Sequence, residues 1–490
     1  MASSWQTITL EEFAQHQKGF AFKSKDYIEE GVAVVRVSNL TANSIDTSDL
    51  KYVSEEVASD KSNFKLTHND VIIATVGSWP KNPASVVGKV IKVPKNCDNF
   101  LLNQNAVRFR VKTEDTNDQL FLYYLLKSKT FSDYIISTAQ GSANQASITL
   151  KDIYAFEFEC PSPPERKEIA QILSAIDDKS NLNSQTNQTL EQMAQALFKS
   201  WFVDFDPVID NALAAGNEIP EALQHKAQVR REVRAHSQET AQQLPASPET
   251  KSKPLPDGLP QEIRALFPSE FEQTGDLFVG IKGWVPKGWN IAELGSLVDF
   301  ATGPAFKSKN FSDKGIKLSR GDNVKEGFFH WGSKTRYWPE ITPELKKHKL
   351  QSGDILIGMD GSKVGKNWVR VTDKDLPCLL VQRVARLRSK GLIGSSYLSV
   401  LIGGDTFKQY VDTVKTGTSI PHISGGQIKQ MKILSPDDNG SIFQKFENVL
   451  ADNLQRLSNS LLEIETLIRL RDVLLPKLVS GEITINKEVA

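Results

Sequence analysis

Cysteine is scarce in this 490-residue chain: there are three, Cys97, Cys160 and Cys378, far apart in sequence. Three scattered thiols cannot build a disulfide framework, so a reducing, cytoplasmic compartment is expected. Long apolar runs are absent as well. No stretch of 18 or more apolar residues occurs, which argues against a transmembrane helix. The start, Met1-Ala2-Ser3-Ser4-Trp5-Gln6, has neither a basic segment nor an apolar core, so no secretory signal is expected. Net charge is zero, with 59 basic against 59 acidic residues. Catalytic signatures are missing too. Residues 361–367, Gly-Ser-Lys-Val-Gly-Lys-Asn, look like a phosphate loop, but the spacing is one residue short and Asn367 stands where Ser or Thr would ligate magnesium. There is no Gly-x-Gly-x-x-Gly, His-Glu-x-x-His or Cys-x-x-Cys. Asp206-Pro207-Val208 and Asn82-Pro83-Ala84 hold only fragments of the amino-methyltransferase motif. The histidines, His16, His68, His225, His236, His330, His348 and His422, show no metal-ligand spacing. The chain is therefore expected to catalyse nothing by itself and to hold no cofactor or metal. A hidden carboxylate site would be the enzymatic alternative.

What is present is repetition. With 39% hydrophobic and 24% charged residues the chain reads as globular, long enough for about three domains. Gly-Phe-Ala-Phe-Lys-Ser-Lys at 19–25 returns as Gly-Pro-Ala-Phe-Lys-Ser-Lys at 303–309. Arg36, Asn39, Asp70 and Gly77 return as Arg320, Asn323, Asp354 and Gly361, all at an offset of 284. The offset then falls to 278 for Arg108 and Arg110 against Arg386 and Arg388, and to 275 for Ile148 against Ile423. So steady an offset marks a tandem duplication with small loop deletions.

Each copy reads as mixed α/β followed by a long helix. Strands are expected over 31–37, 70–74, 107–111 and 354–357, and a helix over 120–136. After Pro436, Leu450, Leu454, Leu457, Leu461, Ile464 and Ile468 form a narrow heptad seam, broken at Arg471 and resumed at Leu475 and Leu478. After Pro164 the same spacing gives Ile169, Leu173, Ile176, Leu190, Ala194, Leu197 and Trp201, with Ser180, Asn183 and Asn187 in the middle. Those polar residues fit either a register-fixing seam or a surface helix with a poor stripe. Residues 205–262 are polar and read as a linker with some helix near 228–240.

Charge is distributed unevenly between the copies. Residues 1–160 hold 17 basic and 19 acidic residues, whereas 285–436 hold 24 and 13. A basic globular domain suggests a polyanion, because neutralising phosphates releases counterions. A basic protein-binding face is the alternative. In the first copy the cations would have to cluster, with Lys23, Lys25, Arg36, Lys81, Arg108 and Arg110 available. Two diverged copies on a rigid spacer suit an asymmetric, bipartite DNA target.

These residues resemble the specificity subunit of Type I restriction-modification enzymes. The resemblance rests on the echoed 19–24 and 303–308 segments, Pro-Pro-Glu-Arg at 163–166, Phe-Lys-Ser-Trp-Phe-Val-Asp-Phe at 198–205, Val-Pro-Lys-Gly-Trp at 285–289 and Leu-Leu-Pro-Lys-Leu-Val-Ser-Gly-Glu-Ile at 474–483. It covers nearly the whole chain except much of 205–262. It implies a mixed α+β fold: two duplicated α/β target recognition domains separated by two long antiparallel helices that form a coiled-coil spacer. The expected segments are 1–162, first recognition domain; 163–204, central spacer helix; 205–284, linker; 285–436, second recognition domain; and 437–490, C-terminal spacer helix and tail. The implied partners are double-stranded DNA, two methyltransferase subunits and restriction (translocase) subunits. S-adenosylmethionine, ATP and magnesium would be bound by those partners. The second helix opens Pro-Asp-Asp-Asn-Gly at 436–440 instead of Pro-Pro-Glu-Arg, so equal docking at the two ends is not implied.

Side chains shared by both copies cannot explain two specificities, so Lys23, Lys307, Arg36 and Arg320 are expected at phosphates. Asn39 and Asn323 follow the same strands, and Lys25 and Lys309 the same turn. Base readers are expected where the copies differ. Those places are Ser78, Lys81 and Asn82 against Lys363, Lys366 and Asn367, and Asn144 and Gln145 against His422. A protein-interaction scaffold of the same architecture, silent toward DNA, is the competing reading.

Overall fold

A computed structural model describes residues 5–41, 43–77, 87–142, 145–243, 259–332, 334–417 and 419–483. The chain forms two compact units, one of residues up to Ser184 with those from Leu462 onward, the other Gln185–Leu461. Each unit takes a globular domain together with parts of both long helices, Pro163–Phe198 and Ser441–Val479. No helix among the described residues is long and apolar enough to cross a membrane.

The duplication is visible in the topology. In the first unit a four-stranded antiparallel sheet runs in the order Ala14–Lys18, Ala106–Val111, Val71–Ala74, Val90–Lys92. In the second unit Val298–Thr302, Val384–Ser389, Ile355–Gly358 and Trp368–Arg370 repeat that order. A three-stranded sheet with one parallel pair is repeated too, Val32–Val35 beside Leu101–Leu102 and Ile316–Ser319 beside Cys378–Leu380. The two ends of each domain meet as an antiparallel pair, Gln6–Thr9 with Glu157–Cys160 and Trp289–Glu293 with Lys432–Pro436. The fold class is therefore mixed α and β, as the repeated sequence predicts. The helix expected over 120–136 is two helices, Thr116–Lys127 and Lys129–Thr138, because the Ser128 hydroxyl caps the second by accepting from the Phe131 N–H.

One ion pair, a partly exposed arginine on a buried carboxylate, recurs in both copies. The Asp70 carboxylate takes Nε and Nη2 of Arg110 at 2.5 and 2.8 Å, and Asp354 takes those of Arg388 at 2.6 and 2.8 Å. Each carboxylate also accepts a turn N–H, from Thr67 or Gln351. The pair thus clamps the turn before one strand to the neighbouring strand. This corrects the expectation of a DNA contact for Arg110. Arg108 is likewise turned inward, its Nη1 on the Lys65 carbonyl at 2.5 Å.

The long helices are anchored by the domains. Arg166 of the Pro-Pro-Glu-Arg segment is buried, with Nε and Nη2 on Asp118 at 2.6 and 2.9 Å. Glu165 accepts from the Ser162 N–H and from the Trp5 indole. The diverged opening of the second helix uses other chemistry: Asp438 caps it through the Ile442 N–H at 2.7 Å, and Glu447 takes the Ser396 N–H and hydroxyl. In the first unit Ile169, Leu173, Leu475 and Leu478 enter the core around Phe121 and Phe158. In the second, Phe198, Trp201, Phe202 and Phe205 pack with Tyr397, Phe443 and Phe446, Phe202 stacking on Phe443 at 5.5 Å.

Within each unit the two helices run antiparallel. Asp177 faces Arg471 (3.0 Å) and Asn183 faces Glu463 (2.9 Å) in one; Phe198 faces Phe446 in the other. The break at Arg471 is thus a cross-helix ion pair. The seam passes through half-buried Leu467, while Ile468 is exposed. Asn183 and Asn187 are both buried, which favours the polar-seam reading over a surface stripe.

The helix expected near 228–240 is present within Gln224–Gln243, and more of the segment expected as a linker is folded than its composition suggests. Helices Asp206–Ala215 and Gln224–Gln243 and the segment between them bury Ile209, Ala212, Ile219, Leu223 and Ala227 in one cluster. Phe271–Gln273 pairs with Trp284–Pro286. The polar composition hid this because Arg230 is held inward on Asp210, and Lys226 on Asp204 at 2.5 Å.

Two stability changes follow. Arg388→Ala leaves Asp354, 1% exposed, without its counter-charge and is expected to cost about 3 kcal/mol in chemical denaturation of the full chain. Asn187→Leu is expected to stabilise by about 1–3 kcal/mol in the same assay, because both amide atoms of Asn187 are buried with no partner among the described residues.

Candidate nucleic-acid interface

The echoed turns lie on the surface in both copies. Lys23 precedes and Lys25 lies within the short turn Ser24–Asp26, as Lys307 and Lys309 do for the turn Ser308–Asn310; all four are exposed. Behind each turn sits an aromatic anchor, Phe22 against Phe20 at 5.0 Å and Phe306 against Trp338 at 4.8 Å. The turn is therefore rigid at its base while its lysines project into solvent. Exposed Lys314, Lys334, Lys346, Lys347, Lys363 and Lys366 join Lys307 and Lys309 in the second unit, none in an ion pair among the described residues. This is where the basic excess of the second copy resides.

The asparagines after the echoed strands have a different place. Asn39 is buried; its Oδ1 accepts from the Arg36 N–H and its Nδ2 donates to the Asp49 and Asp46 carbonyls. Asn323 is fully buried and donates to the His330 carbonyl at 3.1 Å. Both side chains are buried and donate to loop carbonyls, the Asn323 Oδ1 having no partner among the described residues, and this burial corrects their expected role at DNA. The arginines before them each lie 3.5 Å from a nearby carboxylate, Asp49 for Arg36 and Asp322 for Arg320. Arg36 also turns its Nη2 to the Asp49 carbonyl at 3.0 Å.

In the second unit several loops converge on one polar groove, lined by Phe306, Arg320, Lys325, Asp360, Lys363, Asn367, Gln382 and Arg383. Of the sequence candidates, Arg320, Lys363 and Asn367 meet there. Lys307, Lys309 and Lys366 do not line it. Asn367 carries a buried Oδ1 with no partner among the described residues. His422 joins the groove through Asp360, its Nδ1 on Oδ1 of that carboxylate. Two backbone bonds, Gly361 N–H to Pro421 O and Ile423 N–H to Met359 O, both 3.0 Å, tie the 360–367 loop to the 416–422 hairpin. Two of the places where the copies differ are thus neighbours.

The first unit repeats this juxtaposition. The hairpin Gln140–Ser142 and Gln145–Ser147 pairs with Val76–Gly77, and Gln145 is exposed on it. Ser78, Lys81, Asn82 and Asn144 lie outside the described residues. Sequence reasoning missed Lys325, Asp360, Gln382 and Arg383. A signal for Arg383 existed: it replaces Asn105 between the matched pairs Gln104/Gln382 and Arg108/Arg386.

Among the described residues no group of His, Cys, Asp and Glu side chains could hold a metal ion. Burial pushes the Cys97 thiol up to about 11, and the Cys378 thiol well above its ordinary value. Neither is a nucleophile at neutral pH.

A family model described as the Type I restriction modification DNA specificity domain matches residues 2–192 and 286–467. The chain is 27% identical over 419 residues to the Type I restriction enzyme HindI specificity subunit of Haemophilus influenzae, covering 81% of this chain and 84% of that protein. It is 25% identical over 371 residues to the MjaIX specificity subunit of Methanocaldococcus jannaschii, covering 75% and 69%. The crystal structure of a Type I restriction-modification S subunit from M. genitalium superposes with a TM-score of 0.53 at 16% identity, over 98% of this chain and 96% of that one.

Because the buried amides hold loops, Asn39→Ala and Asn323→Ala are each expected to lower stability by about 1–3 kcal/mol in urea titrations. Lys307→Ala, at an exposed side chain, is expected to leave the midpoint unchanged.

Proposed function

The chain belongs to the Type I restriction-modification DNA specificity family, and from that premise we propose that it reads DNA sequence for a methyltransferase complex. The domains at 1–162 and 285–436 act as target recognition domains, each serving one half of an asymmetric bipartite target. Two methyltransferase subunits dock on the long helices, bring S-adenosylmethionine and methylate adenine. Restriction subunits add ATP- and magnesium-dependent translocation and cleavage. This chain contributes binding energy and register and no reacting atom.

The observation that carries the reading is one scaffold built twice with different side chains at the same edge. The same strand order and the same Asp–Arg clamp recur, while the 360–367 loop and the 416–422 hairpin, adjacent in space, diverge from their counterparts. Shared exposed cations, Lys23 and Lys25 with Lys307 and Lys309, suit phosphates, which carry no sequence information. Lys363, Lys366, Asn367 and His422, with Gln145 in the first copy, suit base edges or the phosphates beside them. A protein-interaction scaffold of the same architecture, silent toward DNA, is compatible with the slightly acidic balance of 1–160, and the test separates the two.

The test is methylome sequencing of a host carrying the methyltransferase partner, with and without this gene. A two-part adenine-methylation motif that appears only with the gene is expected. Exchanging residues 285–436 for those of a relative should change one half of the motif and leave the other intact. A partner that binds the chain while no motif depends on it would establish the scaffold reading instead.

A further inference from the structure

We propose that Arg383 reads a guanine in the half-site served by the second domain, with Asp360 and His422 positioning its guanidinium. This rests on the reading above and adds which side chains decide one half of the target.

The two copies present three side chains on the same backbone frame. In the second unit the Met359 N–H donates to the Arg383 carbonyl, and the Ile423 N–H to the Met359 carbonyl, both at 3.0 Å. In the first unit the Thr75 N–H donates to the Asn105 carbonyl, and the Ile148 N–H to the Thr75 carbonyl, both at 3.0 Å. These bonds make Asp360, Arg383 and His422 the counterparts of Val76, Asn105 and Ser147. The backbone bonds are shared, the left-handed conformation of Arg383 is not, and all three side chains differ, as two domains with different targets require.

The chemistry of the trio is specific. Asp360 holds the His422 ring on Oδ1, and its Oδ2 lies 3.3 Å from Nε of Arg383 as an ion-pair contact without a hydrogen bond between them. The Asp360 charge lies beside Nε, the Nη1/Nη2 edge of Arg383 has no partner among the described residues, and the side chain is 76% exposed. Two parallel donors on a fixed plane match O6 and N7 of guanine in the major groove. Arg383 also sits at φ 65°, a left-handed backbone that a bulky side chain rarely adopts. Such conformations persist where surrounding bonds impose them, and they cluster at functional sites. The counterpart Asn105 carries no charge and needs no carboxylate behind it; that position is Val76. A lysine-like phosphate contact would need neither the fork nor its buttress.

The experiment uses the full chain with its methyltransferase partner. Methylomes are read for the wild type, R383N, R383K, D360N and the triple exchange D360V/R383N/H422S. R383N and the triple exchange are expected to lose the requirement for one guanine, only in the half that follows residues 285–436. R383K should lose it as well, because a lysine keeps the charge but not the fork. D360N should widen the motif at that base, whereas a merely structural role would lower methylation without widening it. A readout needing no variant guards against misfolding: 7-deazaguanine, which lacks N7, at that base should weaken binding by the wild-type complex about ten- to hundredfold. A motif unchanged by R383N, full specificity retained by R383K, or indifference to deazaguanine throughout that half would overturn the proposal. If no motif depends on the gene at all, the parent reading fails instead.

Discussion

The constraint on which this structure depends is that neither long helix can stand without the domains. Helices of 36 and 39 residues with a seam carrying Asn183, Asn187 and Arg471 bury too little apolar surface along that stretch to be stable alone. Their ends supply what the seam lacks. Leu475 and Leu478 join Ile169 and Leu173 in the first core, and the Phe198-to-Phe205 segment joins Phe443 and Phe446 in the second. Polar seam residues cost stability and specify pairing. Asp177 with Arg471 and Asn183 with Glu463 fix which turn faces which, so in the first unit the register of the helices is set by a few directional contacts.

Duplication then separates what must stay from what is free to change. The Asp70–Arg110 and Asp354–Arg388 clamps each hold a buried carboxylate, where loss of the arginine strands a charge, and both have survived divergence. The helix openings were under looser constraint. One copy anchors its helix by Arg166 on Asp118, the other by an Asp438 cap and Glu447 on Ser396. Both solutions satisfy helix-start N–H groups and tie helix to domain by unrelated side chains. Divergence extends to the groove edge, where backbone bonds are kept whatever the side chain.

Much of the architecture was legible because it was written twice. Constant offsets located both domains, and apolar spacing located both helices. The Asn39/Asn323 echo was legible as an echo but not as to purpose: an asparagine after a strand looks the same in sequence whether it faces a base or a loop carbonyl. Arg108 and Arg110 show the same ambiguity, since a cation on an alternating strand points to solvent or to a buried carboxylate some 40 residues away. The folded part of 205–284 was hidden because its inward polar side chains are paired, which composition cannot reveal.

By itself the sequence determined the repeat, the α/β character of each copy, the helical seams and the absence of recognisable catalytic motifs. These are periodic or local properties, and periodicity survives without coordinates. Tertiary structure alone decided which cations are spent inside and which are exposed, and that the 360–367 loop meets the 416–422 hairpin. It also decided that Asp360 stands between His422 and Arg383. Those facts depend on contacts between residues some 20 to 60 positions apart, and the direction of a side chain is settled only when the chain has closed around it.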